Sequence, residues 1–257
     1  MNTKRKPKTK RSTTKNKATL LLKKAGIMNS RARCQCLATC VRIPLEGEAF
    51  CRIHMNNCKR VAPLSGWEPP YEPERWNFEK AIRLTHNCFS YGMNMIDSKQ
   101  IFSYFKTPDH DVPWHQPGSA SRYPKFNDKD PKTCPNMIVR IMGDIPSIQP
   151  SAFELKCPEG SSKFALIVDE DEDYHFLRQD NTGYFSQKSG SLAVTDKDAS
   201  GHKIFDVQLA DHNFTRPRGK LHYDRFCGYF CVPRNKPLNL KVGGGSLLRL
   251  RGDRRQA

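Results

Sequence analysis

The stretch from Lys163 to Lys188 constrains the fold more than any other part of the chain. Lys163-Phe-Ala-Leu-Ile-Val168 is a short continuous apolar run, the pattern of a strand buried on both faces. Five consecutive acids, Asp169 to Asp173, cannot continue it and read as a solvated turn. Tyr174 to Gln179 then alternates, with Tyr174 and Phe176 on one face and His175 and Leu177 on the other. A three-residue loop, Asn181-Thr182-Gly183, puts glycine where such loops need a left-handed residue. That register sets Leu177 opposite Gln187 and makes Gln187 the diagonal neighbour of His175 on the same face. An antiparallel sheet with a histidine and an amide side by side is therefore expected.

A second stretch, Thr85 to Asn94, reads as a loop entering a helix. Asn87 is a helix-capping residue type, which places Cys88 at the first helical position. Phe89, Met93 and Ile96 give that helix one apolar face. A helix N-terminus favours thiolate, so Cys88 is the candidate nucleophile, His175 the candidate base, and Gln187 the group that orients it.

A third group lies at residues 34–58, with Cys34, Cys36, Cys40, Cys51, His54 and Cys58. Cys51-Arg-Ile-His54 has the spacing by which two ligands of one tight turn reach the same tetrahedral ion. Cys40 returns across the turn around Pro44 and Gly47. Cys36 or Cys34 supplies the fourth ligand, and Cys36, Cys40, Cys51 and His54 are taken as the set, with Cys58 a spare. Three thiolates and one imidazole closed around zinc make a structural site, not a catalytic one.

The chain has 257 residues, 37% of them hydrophobic, and a mean hydropathy of −0.70. Its net charge is +17, but residues 1–24 hold ten Lys/Arg and no acid, leaving +7 for the remainder. That arm, with Lys4, Arg5, Lys6, Lys8, Lys10 and Arg11, is expected to be disordered and to contact nucleic acid through phosphates, or else to act as a solubilising tail. No segment is apolar enough to span a bilayer, and the basic start lacks the apolar core of a signal peptide. An intracellular place (host cytoplasm or nucleus) or a virion is expected. Without a secretion signal, ten cysteines suggest thiols and metal ligands, with Cys227 and Cys231 as core thiols on one face of a strand. The expected division is a basic arm (1–24), a zinc module (25–60), a Pro-rich linker without helix (61–75), a main domain (76–235) and a Gly-rich basic tail (236–257). Trp76 to Leu84 reads as a helix and Met137 to Met142 as a strand.

The order of capped cysteine, strand-borne histidine and polar residue on the next strand resembles the papain-like superfamily, in particular NlpC-type peptidases and amidases. Gln116-Pro117-Gly118 is similar to a turn carried by those enzymes. The segments 173–180 and 184–190 resemble uncharacterised proteins of giant viruses and some bacteria, and Phe50-Cys51-Arg52-Ile53-His54 resembles small zinc motifs of large DNA viruses. The resemblance implies an α+β papain-like domain, its Cys-bearing helix packed on an antiparallel sheet. It implies a cysteine hydrolase of a peptide or amide bond, with Cys88 attacking the carbonyl and His175 moving its proton. The other reading is a non-enzymatic virion or nucleic-acid-associated structural protein that keeps the fold for packing. Distance between Cys88 and His175, and an open cleft, separate the two.

Overall fold

The computed structural model describes residues 32–126, 130–215 and 220–242. The arm residues Lys4, Arg5, Lys6, Lys8, Lys10 and Arg11 lie outside that range, as does most of the tail. The fold is α+β, built on an antiparallel sheet ordered β1-β6-β2-β3-β4-β5. The strands are β1 (Gln149–Ser151), β2 (Ser161–Asp169), β3 (Asp173–Gln179), β4 (Phe185–Lys188), β5 (Val194–Thr195) and β6 (Arg225–Pro233). β2 is central and buried along its length, as its unbroken apolar run requires. It turns into β3 over the acidic stretch, with Asp169 paired to Asp173. The β3–β4 hairpin has Leu177 opposite Gln187, and Gly183 adopts φ 85° in its loop.

Alternation along β2 and β3 sorts the core into two layers. Phe164, Leu166, Val168, Tyr174 and Phe176 face one side, where they pack with Cys88, Phe89, Met137 and Ile141 from helices. Ala165, Ile167 and Leu177 face the other, where Ile204, Val207, Ala210 and Tyr223 of an irregular segment cover them. Each of these large apolar side chains contributes roughly 1.5–3 kcal/mol by leaving water. The helices are α1 (Pro73–Asn77), α2 (Lys80–Thr85), α3 (Cys88–Gly92), α4 (Ser98–Lys106) and α5 (Cys134–Asp144). None among the described residues is long and apolar enough to cross a membrane.

Several local expectations change. The Pro-rich segment does hold a helix, α1, because Pro73 sits in its first turn, where no N–H is needed. Trp76 to Leu84 divides between α1 and α2 instead of forming one helix. Residues 137–142 are helical: Thr133 caps α5, Pro135 occupies its first turn, and Met137 and Ile141 bury one face. The run Met137-Ile-Val-Arg-Ile has strand-forming residues, but cap and burial spacing override that weak preference. Residues 236–242 belong to the packed body, since Leu240 joins the helix-side core.

Cys227 and Cys231 are not free thiols. The β2–β6 register shifts between Leu166 and Ile167, so that Gly228 pairs with Leu166 and Phe226 with Ile167, and Cys227 is the extra residue of a bulge. Gly228, at φ 133°, makes the bulge possible. The extra residue inverts the alternation, and the two cysteines face opposite layers. Cys227 bonds to Cys134 at the start of α5, and Cys231 bonds to Cys157 in the loop after β1. A thiol-only interior is thus overturned by strand irregularity.

Candidate functional site

The metal cluster forms where backbone turns bring three thiols and a ring together. Cys51 opens a tight turn in which the His54 and Met55 N–H groups donate to its carbonyl at 2.9 and 3.0 Å. Cys34 is held by its N–H to Arg42 O at 2.8 Å, and Cys40 by its N–H to Leu37 O at 2.9 Å. Gly47, at φ 71°, turns the chain between Cys40 and Cys51. The donor atoms of Cys34, Cys40, Cys51 and His54 lie within 4.8 Å of one another. His54 Nδ1 is 3.2 Å from Cys34 Sγ and 3.5 Å from Cys51 Sγ. Burial pushes the Cys34 thiol up to about 11. At Cys51 burial acts the same way, but the N–H groups of His54 and Ile53 outweigh it and lower the thiol. Soft sulfur donors and one imidazole converging this closely fit a tetrahedral transition metal, with no position left for substrate.

The fourth residue of the group that could hold a metal ion is Cys34, and the expectation of Cys36 is corrected. The chain bends at Gln35 and Cys36, which breaks the alternation that would otherwise place Cys34 and Cys36 on one face. Cys34 faces the cluster, while Cys36 is bonded to Cys58. Gln35 itself is buried and docks the module on the sheet domain. Its Oε1 accepts from the Phe205 and Asp206 N–H groups at 2.6 and 2.9 Å, and its Nε2 donates to Lys203 O at 2.8 Å. Arg60 adds an ion pair to Asp206 at 2.7 Å and lies 4.1 Å from the Phe153 ring centre.

Asn87 caps α3 as expected, accepting from Ser90 N, and Cys88 is the first helical residue. His175 Nε2 donates to Gln187 Oε1 at 2.9 Å, and Gln187 Nε2 donates to Lys197 O at 2.5 Å. The imidazole also stacks on Tyr223, with ring centres 5.4 Å apart. The structure brings His175 and Gln187 together, then, but not Cys88. Cys88 packs with Tyr174 and Phe176, whereas His175 points to the opposite layer with Leu177. The sheet lies between them. Cys88 is 6% exposed and His175 1%. Burial pushes the Cys88 thiol up to about 12, against thiolate, and pushes His175 down to about 3.

A constellation that the sequence reading missed surrounds the α3 cap. Ser90 Oγ is 3.1 Å from His115 Nδ1, and His115 Nε2 is 3.4 Å from Asp97 Oδ2. Asn87 Nδ2 donates to His115 O at 3.0 Å, and Asp97 also caps α4 through Lys99 N. Ser90 and His115 are buried, so this chain of bonds ties α3, the following turn and the long loop together. Nothing in the spacing of Ser90, Asp97 and His115 signals it, because loop folding alone brings His115 back.

The buried histidines set a pH dependence. Burial lowers His86 to about 4, His175 to about 3 and His212 to about 4. Their neutral forms are favoured on folding, so the stability they contribute is complete above about pH 6.5 and is lost as pH falls through these values. Burial raises Asp173 and Asp180 to about 6, which acts oppositely between about 6 and 3.8. Burial also lowers His115 and raises Asp198 and Asp206, so four rings oppose four carboxyls, and the larger shifts of His86, His175 and His212 set the sign. Unfolding by denaturant at about pH 4.5 is expected to show a net loss of stability relative to pH 7. A stability that is flat across that range contradicts the neutral burial of these rings.

Among known proteins the chain is similar to insoluble matrix shell protein 1 of Ruditapes philippinarum. The two are 30% identical over 147 residues, which make up 55% of this chain and 80% of that protein. No protein-family model and no solved structure matches the chain.

Proposed function

The chain belongs to the family of insoluble matrix shell protein 1, and from that premise we propose that it is a non-catalytic structural component of an extracellular matrix. The observation that carries this reading is the placement of Cys88 and His175 on opposite faces of one filled sheet, both buried. A nucleophile and its base must share hydrogen-bond reach of one substrate atom. The Cys-bearing helix on an antiparallel sheet then serves as the packing core of a papain-like (NlpC-type) domain without its chemistry. Three disulfides favour an oxidising, extracellular setting over an intracellular one. Zinc on Cys34, Cys40, Cys51 and His54 braces the N-terminal module and keeps three thiols from oxidation in that setting.

Alkylation tests the reading. Iodoacetamide at near-neutral pH is expected to label Cys88 of the folded, zinc-loaded protein slowly, at the rate at which the domain opens. His175→Ala leaves that rate unchanged or raises it by loosening the fold. Rapid labelling of Cys88 that slows on His175→Ala contradicts a structural role and restores the hydrolase.

A further inference from the structure

A cleft of about 410 Å³ opens between the Pro-rich segment, the end of α3 and the chain leaving β6. Met93, Met95 and Leu238 give it an apolar floor, and the Trp67 indole, 41% exposed, forms a wall. Its charged lining residues are Arg234 and Lys236, and no carboxylate lines it. Such a lining suits one apolar body with one polar attachment point.

The state of Arg234 defines that point. Its Nε donates to Ser162 Oγ at 2.7 Å and its Nη2 to Gly92 O at 2.9 Å, both neutral acceptors. Nη1 is buried with no partner. The neighbouring guanidinium, Arg178, uses Asp180 at 3.0 Å as its counter-ion. Burial, with Arg178 close by, lowers Arg234 to about 9, outweighing the opposite pull of the Asp180 and Glu68 carboxylates. Buried charges in proteins are normally paired, and an unpaired guanidinium donor is costly. Lys236, exposed at the rim, adds a second positive charge.

We infer that this cleft binds a small organic anion, with a planar apolar body lying on Met93, Met95 and Leu238 against Trp67 and its single anionic head directed to Arg234 and Lys236. The inference does not rest on the matrix reading, since it uses neither the metal cluster nor the Cys88 layer. An anion at this position adds a direct counter-charge to the pull of Asp180 and Glu68, and the flat indole favours an aromatic body.

8-Anilinonaphthalene-1-sulfonate has this shape and charge and reports binding by fluorescence. The folded, zinc-loaded full chain is expected to bind it at one site. Trp67→Ala and Lys236→Glu, both at exposed positions, should each weaken binding about tenfold while leaving the circular dichroism spectrum unchanged. The neutral analogue N-phenyl-1-naphthylamine should bind weakly and respond to Trp67→Ala but not to Lys236→Glu. Equal affinity for the two dyes, or sulfonate binding that neither variant changes, overturns the inference.

Discussion

Reduction of the disulfides is expected to unfold the protein at ordinary temperatures, and the two bonds on β6 should account for most of the loss. Cys134–Cys227 and Cys157–Cys231 close loops with sequence separations of 93 and 74. In the chain-entropy account each such crosslink contributes about 4.5 kcal/mol by restricting the unfolded chain. Cys36–Cys58, with a separation of 22, contributes about 3 kcal/mol. Together these approach the whole stability of an ordinary domain, roughly 5–15 kcal/mol. One bond sits on the bulge at Cys227, where the β2–β6 ladder is interrupted, and the other lies four residues further along β6. Thermal melts with and without dithiothreitol, at constant free zinc, measure the effect. Cys227→Ser with Cys134→Ser should lower the melting temperature strongly. A reduced protein that melts where the oxidised one does excludes a disulfide-held structure.

Metal removal is the second large effect. The module's own core is Cys34, Cys36, Ala49, Phe50 and Cys51, too little apolar surface to hold its turns unaided. Structural zinc sites of this donor type contribute roughly 10–16 kcal/mol of binding energy to folding. When the metal leaves, Gln35 and Arg60 lose the backbone that holds them. The amides of Phe205 and Asp206 and the buried Asp206 carboxylate then lose partners, at a cost of about 3–5 kcal/mol for the ion pair alone. The purified protein is expected to hold one zinc per chain. Cys34→Ser, Cys40→Ser, Cys51→Ser and His54→Ala should each release it and expose the module to limited proteolysis. Cys36→Ser should keep the zinc and lose only its disulfide. Zinc lost from Cys36→Ser and kept by Cys34→Ser reverses the ligand assignment.

The comparison of Cys34 with Cys36 shows why part of this site was legible and part was not. The turn Cys51-x-x-His54 and the return of Cys40 are short-range geometry, set by spacing and by Gly47. The choice between two cysteines two residues apart depends on which one faces the cluster and which faces Cys58, and that orientation comes from Gln35 docking on residues 203–206. The Cys88 stretch behaves the same way. Its cap is local and was readable from Asn87, whereas its separation from His175 depends on which sheet face the helix covers.

The sequence by itself determined the features that depend on neighbours a few residues apart. These are the central strand at 163–168, the acidic turn, the Gly183 loop, the pairing of His175 with Gln187 and the capped start at Cys88. Backbone sterics and side-chain alternation act over such distances regardless of the rest of the chain. Only the tertiary structure decided which layer each face meets, that residues 134–144 are a helix against β6, and how six cysteines pair. Those outcomes turn on one extra residue at Cys227 and on loops that close over many residues, where the burial gained depends on the whole assembled core and not on any local pattern.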